Sequence, residues 1–431
     1  MNRVPTPTIS TIRRMAEAAR SASRTLAQAP TSRRNDVLLD LATRIERSSA
    51  QILTANQADV AEARSSGLGM AKLKRLELTP ASIAAMAEGV RQVAALPDPI
   101  DRVVKSWTTP AGLDVAKVGV PLGVILMIYE SRPNVTIDAF ALCFKSGNAC
   151  ILKGGREARF SNEALGALVH KSLQAHRVPT ASMNVFSTSD RDAMEELLQF
   201  DDLIDLCIPR GGESLIRFVH DRAKMPTVQH YHGVCHVYVD RAADQEMALE
   251  IALTAKTSAP ATCNAAECIL VDEAIAEEFL PQLVDGFVSH GVSVHADLAA
   301  LSRLERRDAP SGPGAVSVAT ESDWGKEFLD LVVAVKVVPG LEGALAHIER
   351  YSSGHTDAIV TGDPDTANEF LRRVHSSCAL VNASTRFNDG FQLGLGAEIG
   401  ISTSRVHAYG PMGLEELTAQ RYVVRGDGHV R

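Results

Sequence analysis

From Val124 onward the chain alternates short apolar runs with amphipathic stretches, and this alternation limits the fold more than any other property of the sequence. Segments 124–129, 149–152, 184–186, 203–208 and 236–239 read as buried strands, with helical patterns such as 135–144 and 161–176 between them. Strands separated by helix-length segments pair in parallel through right-handed crossovers, so an α/β sheet is predicted. A second series follows Asp240, with strands at 268–271, 331–338, 358–361 and 379–381, and predicts a second α/β unit with its own core. The 431 residues suit two or three domains.

Before this region the chain reads as mainly helical and carries no obvious chemistry. Helices are predicted at 9–27, at 33–52 with Leu38, Leu41, Ala42 and Ile45 on one face and Thr31 as N-cap, and at 81–95 ahead of Pro97-Asp98-Pro99. Around Pro110-Ala111-Gly112 a hairpin joins 103–108 to 113–118, and 421–425 reads as an edge strand. A hairpin needs a partner to be stable.

Composition removes whole classes of function. The chain has 44 Lys and Arg against 52 Asp and Glu, a net charge of -8, which argues against nucleic acid as the main partner. Its longest nearly apolar stretch, 118–129, is broken by Pro121 and Gly123 and falls short of the roughly 18 residues that span a bilayer. No membrane segment is expected. The N-terminus lacks the apolar core of a secretory signal and the seven cysteines are scattered, which fits a reducing cytoplasm.

Open α/β sheets bind ligands beyond the carboxyl ends of their strands, so post-strand segments rich in glycine and polar residues carry the chemistry. Tyr129-Glu130-Ser131-Arg132-Pro133-Asn134, Lys153-Gly154-Gly155-Arg156 and Pro209-Arg210-Gly211-Gly212 are three such segments. The last two set glycines and basic side chains ahead of helices, an arrangement suited to phosphate oxygens, although neither common phosphate-binding fingerprint is present. Cys263, in Ala261-Thr262-Cys263-Asn264-Ala265, lies in a polar loop before a strand. It reads either as a nucleophile whose thiolate the loop favours or as a small buried side chain. His230-Tyr231-His232-Gly233-Val234-Cys235-His236 crowds imidazoles and a thiol together; its spacing matches no zinc pattern, and pocket-lining histidines compete with a metal there.

The order and wording of several segments resemble the gamma-glutamyl phosphate reductase (glutamate-5-semialdehyde dehydrogenase) family over nearly the whole chain. The segments are Tyr-Glu-Ser-Arg-Pro-Asn-Val from Tyr129, Lys-Ser-Gly-Asn from Lys145, Ile-Pro-Arg-Gly-Gly from Ile208, Thr-Cys-Asn-Ala from Thr262, His355-Thr-Asp-Ala-Ile359, Val-Asn-Ala-Ser-Thr-Arg-Phe from Val381 and Gly-Ala-Glu-Ile-Gly-Ile-Ser-Thr from Gly396. The resemblance implies an aldehyde dehydrogenase-like fold: two α/β domains with parallel-type sheets and a small β oligomerisation element. An NADP-binding domain is expected at 1–102 and 121–240, a catalytic domain at 241–388, and the bridging element at 103–120 and 389–431.

The implied reaction is NADPH-dependent reduction of L-glutamyl 5-phosphate to L-glutamate 5-semialdehyde, the second step of proline synthesis, through a thioester on Cys263. Asn134 is expected to supply an oxyanion-binding amide. Lys153 and Arg156 are expected at the adenosine ribose, where a guanidinium in place of a carboxylate favours NADP over NAD. Gly211 and Gly212 are expected at the pyrophosphate and Glu327 at the nicotinamide ribose. Arg132, Ser384, Thr385 and Arg386 are the expected contacts for the substrate's anionic groups. The segment 228–233 lacks the glutamate that hydrolytic aldehyde dehydrogenases use to activate water, consistent with a thioester meant for reduction. A homo-oligomer is expected and no resident metal, and docking to glutamate 5-kinase would protect a labile acyl phosphate. The competing readings are an aldehyde-oxidising dehydrogenase or thiol acyltransferase, metal chemistry at the histidine cluster, and a scaffold without turnover.

Overall fold

The computed structural model describes residues 9–186, 191–228, 232–304 and 313–431. Two parallel sheets organise it. The first has four strands in the spatial order Met183–Val185, Ala149–Lys153, Val124–Tyr129, Leu206–Arg210, all in parallel register. Val124–Tyr129 is buried at every position because helices cover both faces, which explains its unbroken apolar run. The second has seven strands in the order Val316–Val318, Ser293–Ala296, Val332–Val338, Ala266–Asp272, Cys235–Val239, Thr356–Val360, Cys378–Val381.

The predicted strands at 124–129, 149–152, 268–271 and 331–338 match to within a residue or two, but three expectations need correction. Cys235–Val239 was placed in the first unit and instead sits inside the second sheet, paired with Ala266–Asp272 and Thr356–Val360. Its apolar pattern satisfies either core, and only strand pairing decides between them. The helix expected at 33–52 is two helices, Thr31–Arg47 and Ser49–Ser65, broken at Ser48. Thr31 is the first helical residue rather than the cap, and its hydroxyl bonds the Asp98 carboxylate that also receives the buried Arg34. Strands Ser293–Ala296 and Val316–Val318 were not foreseen, since each is too short to show a period.

The hairpin Val103–Thr108 with Asp114–Pro121 forms as expected, and Thr418–Arg425 adds to its open side in antiparallel register. This three-stranded sheet exposes Val103, Val104, Trp107, Tyr422 and Val424. Not all of the chain after residue 389 belongs to it: Ile399, Ala408, Met412, Leu414 and Leu417 pack into the core of the first unit. Among the described residues no helix is long and apolar enough to cross a membrane.

Candidate active site

A cavity of about 660 Å³ opens between the carboxyl ends of the first sheet's strands and the amino ends of the second sheet's. Its wall is drawn from segments far apart in sequence: Tyr129–Arg132, Pro209–Glu213, Ala261–Asn264, the 325–329 stretch, and Arg386, Asp389 and Glu398. The first sheet contributes the segments that follow Val124–Tyr129 and Leu206–Arg210, as open α/β sheets do, whereas the second contributes segments that precede Ala266–Asp272 and Val332–Val338.

Of the seven cysteines, only Cys263 is on this wall; Cys143, Cys150, Cys207, Cys235 and Cys268 are buried and Cys378 is half-buried elsewhere. The backbone around Cys263 is tightly held. A Cβ on Gly233 would lie 2.0 Å from the Cys263 carbonyl oxygen and 2.8 Å from its Cα, so only glycine lets the two segments pass. The Cys235 thiol donates to the same carbonyl at 3.2 Å, and burial keeps that thiol protonated by raising its pKa well above the ordinary value. The Asn264 amide donates to the Asn388 carbonyl at 3.0 Å. Arg386 donates to the Thr262 hydroxyl at 2.8 Å, tying the Cys263 loop to the segment after the last strand of the second sheet. Behind the loop, Lys256 and Glu267 form a fully buried ion pair at 2.6 Å. Burial dominates there: it lifts the Glu267 carboxyl to about 7 against the pull of Lys256, and it lowers the Lys256 ammonium.

The structure brings together Cys263, Arg132, Arg386, Gly211, Gly212 and Glu327, all on the cavity wall. Glu327 accepts the Gly233 N–H at 3.0 Å, which fixes its carboxylate beside the segment that packs on Cys263. Gly212 precedes helix Glu213–Arg222, and a Cβ there would meet nothing within 4 Å, so this wall is an open cradle at a helix N-terminus. Lys153 ends its strand half-buried and Arg156 is exposed at the start of the turn Arg156–Ala158; neither reaches the Cys263 cavity wall. Next to Arg156, the Glu157 carboxylate is occupied by the Ser131 backbone N–H at 2.7 Å and by the Ser131 hydroxyl.

Three expected contacts fall elsewhere. Asn134 does not line the cavity: it sits at the start of helix Val135–Lys145 without a side-chain capping bond, and its amide donates to Asp138 at 2.9 Å. Local turn chemistry claims the amide, because an Asp one turn on presents a buried acceptor. Ser384 and Thr385 are buried behind the wall, Ser384 accepting the Arg386 backbone N–H. His236 is separated from His232, which lines the cavity, and its Nδ1 meets Asp357 at 2.9 Å in the core. His230 lies outside the described residues. The metal-type grouping among the described residues is instead His236, Cys268 and His347, fully enclosed and away from the cavity.

Sequence reasoning passed over Lys72, Arg75 and Glu398, which also form the wall. Lys72 and Arg75 stand at helical i,i+3 spacing in Met70–Leu76, a signal present in the sequence but in a region that reads as plain helix. Glu398 lies within a glycine-rich tail and pairs with Arg210 at 3.7 Å; burial, the largest influence, raises its pKa.

Comparison with known proteins agrees with this geometry. The family model described as the aldehyde dehydrogenase family matches residues 1–299. The gamma-glutamyl phosphate reductase of Anaeromyxobacter sp. strain Fw109-5 is 51% identical over 420 residues, which cover 97% of this chain and 97% of that protein. The crystal structure of gamma-glutamyl phosphate reductase from Thermotoga maritima superposes with a TM-score of 0.93 at 40% identity, covering 97% of this chain and 99% of that one. A glyceraldehyde-3-phosphate dehydrogenase from Methanocaldococcus jannaschii, solved with NADP, shares the fold at a TM-score of 0.67 and 13% identity over 99% of this chain and 96% of that one.

Proposed function

The chain belongs to the aldehyde dehydrogenase family and, within it, to the gamma-glutamyl phosphate reductases, and from that premise we propose that it reduces L-glutamyl 5-phosphate to L-glutamate 5-semialdehyde through a thioester on Cys263. The observation that carries the reading is the placement of Cys263, the one cysteine on a cavity wall that also holds Arg132, Arg210, Arg386 and the Gly211–Gly212 turn.

The Cys263 sulfur attacks the acyl carbon, a C–S bond forms, and phosphate leaves with the electrons of the C–O bond. The backbone N–H of Cys263 would bind the oxyanion. Gly211 and Gly212 at the helix N-terminus would hold a pyrophosphate, and Glu327 a ribose hydroxyl; the donor set fits a dinucleotide. When bound there, NADPH supplies the hydride that takes the thioester to the aldehyde level. Collapse of the thiohemiacetal then breaks the C–S bond and restores the thiolate. Arg386, held by Thr262 and Ser258, would take the substrate carboxylate.

Preference for NADP rests on Arg156: it is an exposed cation, whereas the neighbouring Glu157 carboxylate is turned onto Ser131 and so is less able to repel a 2′-phosphate. The exposed apolar sheet Val103–Thr108, Asp114–Pro121 and Thr418–Arg425 supports a homo-oligomer, because an open sheet bearing Trp107 and Tyr422 is stabilised by a covering partner.

The test is oxidation of glutamate semialdehyde with NADP and with NAD, with and without inorganic phosphate, for wild type and Cys263→Ala. Phosphate-dependent NADPH formation, lost in a folded Cys263→Ala, is the expected result. Turnover without phosphate would indicate an aldehyde-oxidising dehydrogenase, and activity surviving in the variant would overturn the thioester.

A further inference from the structure

The reaction proposed above leaves a phosphate dianion beside Cys263, and one wall of the cavity is built for such a group. Lys72 and Arg75 from Met70–Leu76, Arg132 after Val124–Tyr129 and Arg210 at the end of Leu206–Arg210 converge there. Two of the four are partly neutralised, Lys72 by Glu130 at 3.6 Å and Arg210 by Glu398 at 3.7 Å. Arg75 and Arg132 have no carboxylate within ion-pair distance among the described residues. Arg75 donates to the Ala261 backbone carbonyl at 3.2 Å, two residues before Cys263, and among the described residues most of its five N–H donors make no other hydrogen bond.

These guanidiniums feel one another. Burial first, then Arg210 and Arg75, draws the Arg132 pKa down to about 10, while the Cys263 sulfur acts in the opposite direction. Four cations of which only Lys72 and Arg210 have a carboxylate partner leave an excess of like charge that an entering anion would relieve. Position decides which anion. Arg132 lies within electrostatic reach of the sulfur, and Arg75 is anchored to the nucleophile's own loop, so the anion they meet is bonded to the carbon that Cys263 attacks. Arg386 grips the same loop through Thr262 and Ser258, a separate anchor suited to the carboxylate at the other end of the substrate.

The presentation of Arg75 is a built feature rather than a chance surface contact. Leu73 and Leu76 bury the opposite side of its short helix with Val60, Ala63 and Ala158, and the Asn56 amide holds the Leu76 carbonyl at 2.8 Å.

Resting on the reaction proposed above, we propose that Arg75 and Arg132, with Lys72 at the rim, form the subsite for the acyl-phosphate's phosphoryl group. Arg75, supplied by the N-terminal helical region, makes phosphate rather than water or a thiol the acyl group's exchange partner. In the forward direction the guanidiniums neutralise the departing dianion. In reverse they hold inorganic phosphate as its oxygen attacks the thioester carbon and the thiolate leaves.

The test is semialdehyde oxidation with NADP at varied inorganic phosphate, for wild type, Arg75→Gln and Arg75→Lys, each checked for native folding by circular dichroism. In Arg75→Gln the phosphate KM is expected to rise at least tenfold while the KM values for NADP and semialdehyde stay within twofold. Arg75→Lys, which keeps the charge but loses the fork, should fall between. An unchanged phosphate KM in either folded variant, or a rise confined to the KM for NADP, overturns the subsite while leaving the reaction standing. A wild type indifferent to phosphate would overturn the reaction itself.

Discussion

At the residue scale, the setting of Cys263 depends on a close approach of two chain segments that no motif describes. Gly233 lets its strand pass against the backbone of Cys263, and its N–H also holds Glu327. A methyl group there meets backbone atoms rather than a flexible side chain, so the Cys263 loop must shift. Displacements of about 1 Å in an active site can lower turnover on the order of 10²-fold. Gly233→Ala is therefore expected to lose at least that much kcat while the thermal midpoint moves little; steady-state kinetics with a melting curve would show it, and near-native kcat would mean the loop is looser than this contact implies. That Cys263 would line a pocket was legible from its loop and its wording. Asn134 illustrates the opposite: the residue type suits an oxyanion amide, but whether the amide faces the cavity or Asp138 depends on a helix start that sequence alone does not orient.

At the element scale, the short helix Met70–Leu76 matters because it carries Lys72 and Arg75 to the cavity, and seven residues are too few to be stable alone. Asn56 is its clamp. Its amide donates to the Leu76 carbonyl at 2.8 Å and to the Ser161 hydroxyl at 3.1 Å, and its Oδ1 accepts the Leu78 N–H at 2.8 Å. Asn56→Ala leaves buried backbone groups unpaired, for an expected loss of about 1–3 kcal/mol measured by urea unfolding. Hydrogen exchange at 70–78 should speed up in the same variant; unchanged protection there would show that leucine packing alone holds the helix. Long elements such as Val124–Tyr129 were readable because a fully buried strand must be apolar throughout. This helix was not, because its charged face looks like any solvated surface until the cavity is known.

At the scale of the whole molecule, the enclosed histidines make stability depend on pH. His347 is drawn down to about 2, chiefly by burial and then by His236, and His355 to about 4, again chiefly by burial. In the unfolded chain both titrate near 6.5, so between that value and their folded values the unfolded state binds more protons. Their contribution is complete above about pH 6.5 and falls as pH drops, each histidine adding a slope of about 1.4 kcal/mol per pH unit. His347→Gln should flatten the pH dependence of the urea midpoint between about pH 6 and 4.5 by that one-proton share; an unaltered slope would mean His347 is protonated in the native state.

The alternation of strands and helices, the two α/β series and the cysteine loop were decided by the sequence itself, since burial and backbone periodicity act within each segment. Tertiary structure decided which sheet receives Cys235–Val239, which amides and hydroxyls face the cavity, and that Arg75 stands beside Cys263. Those outcomes depend on pairing and approach between segments distant along the chain, and local pattern carries no record of distance.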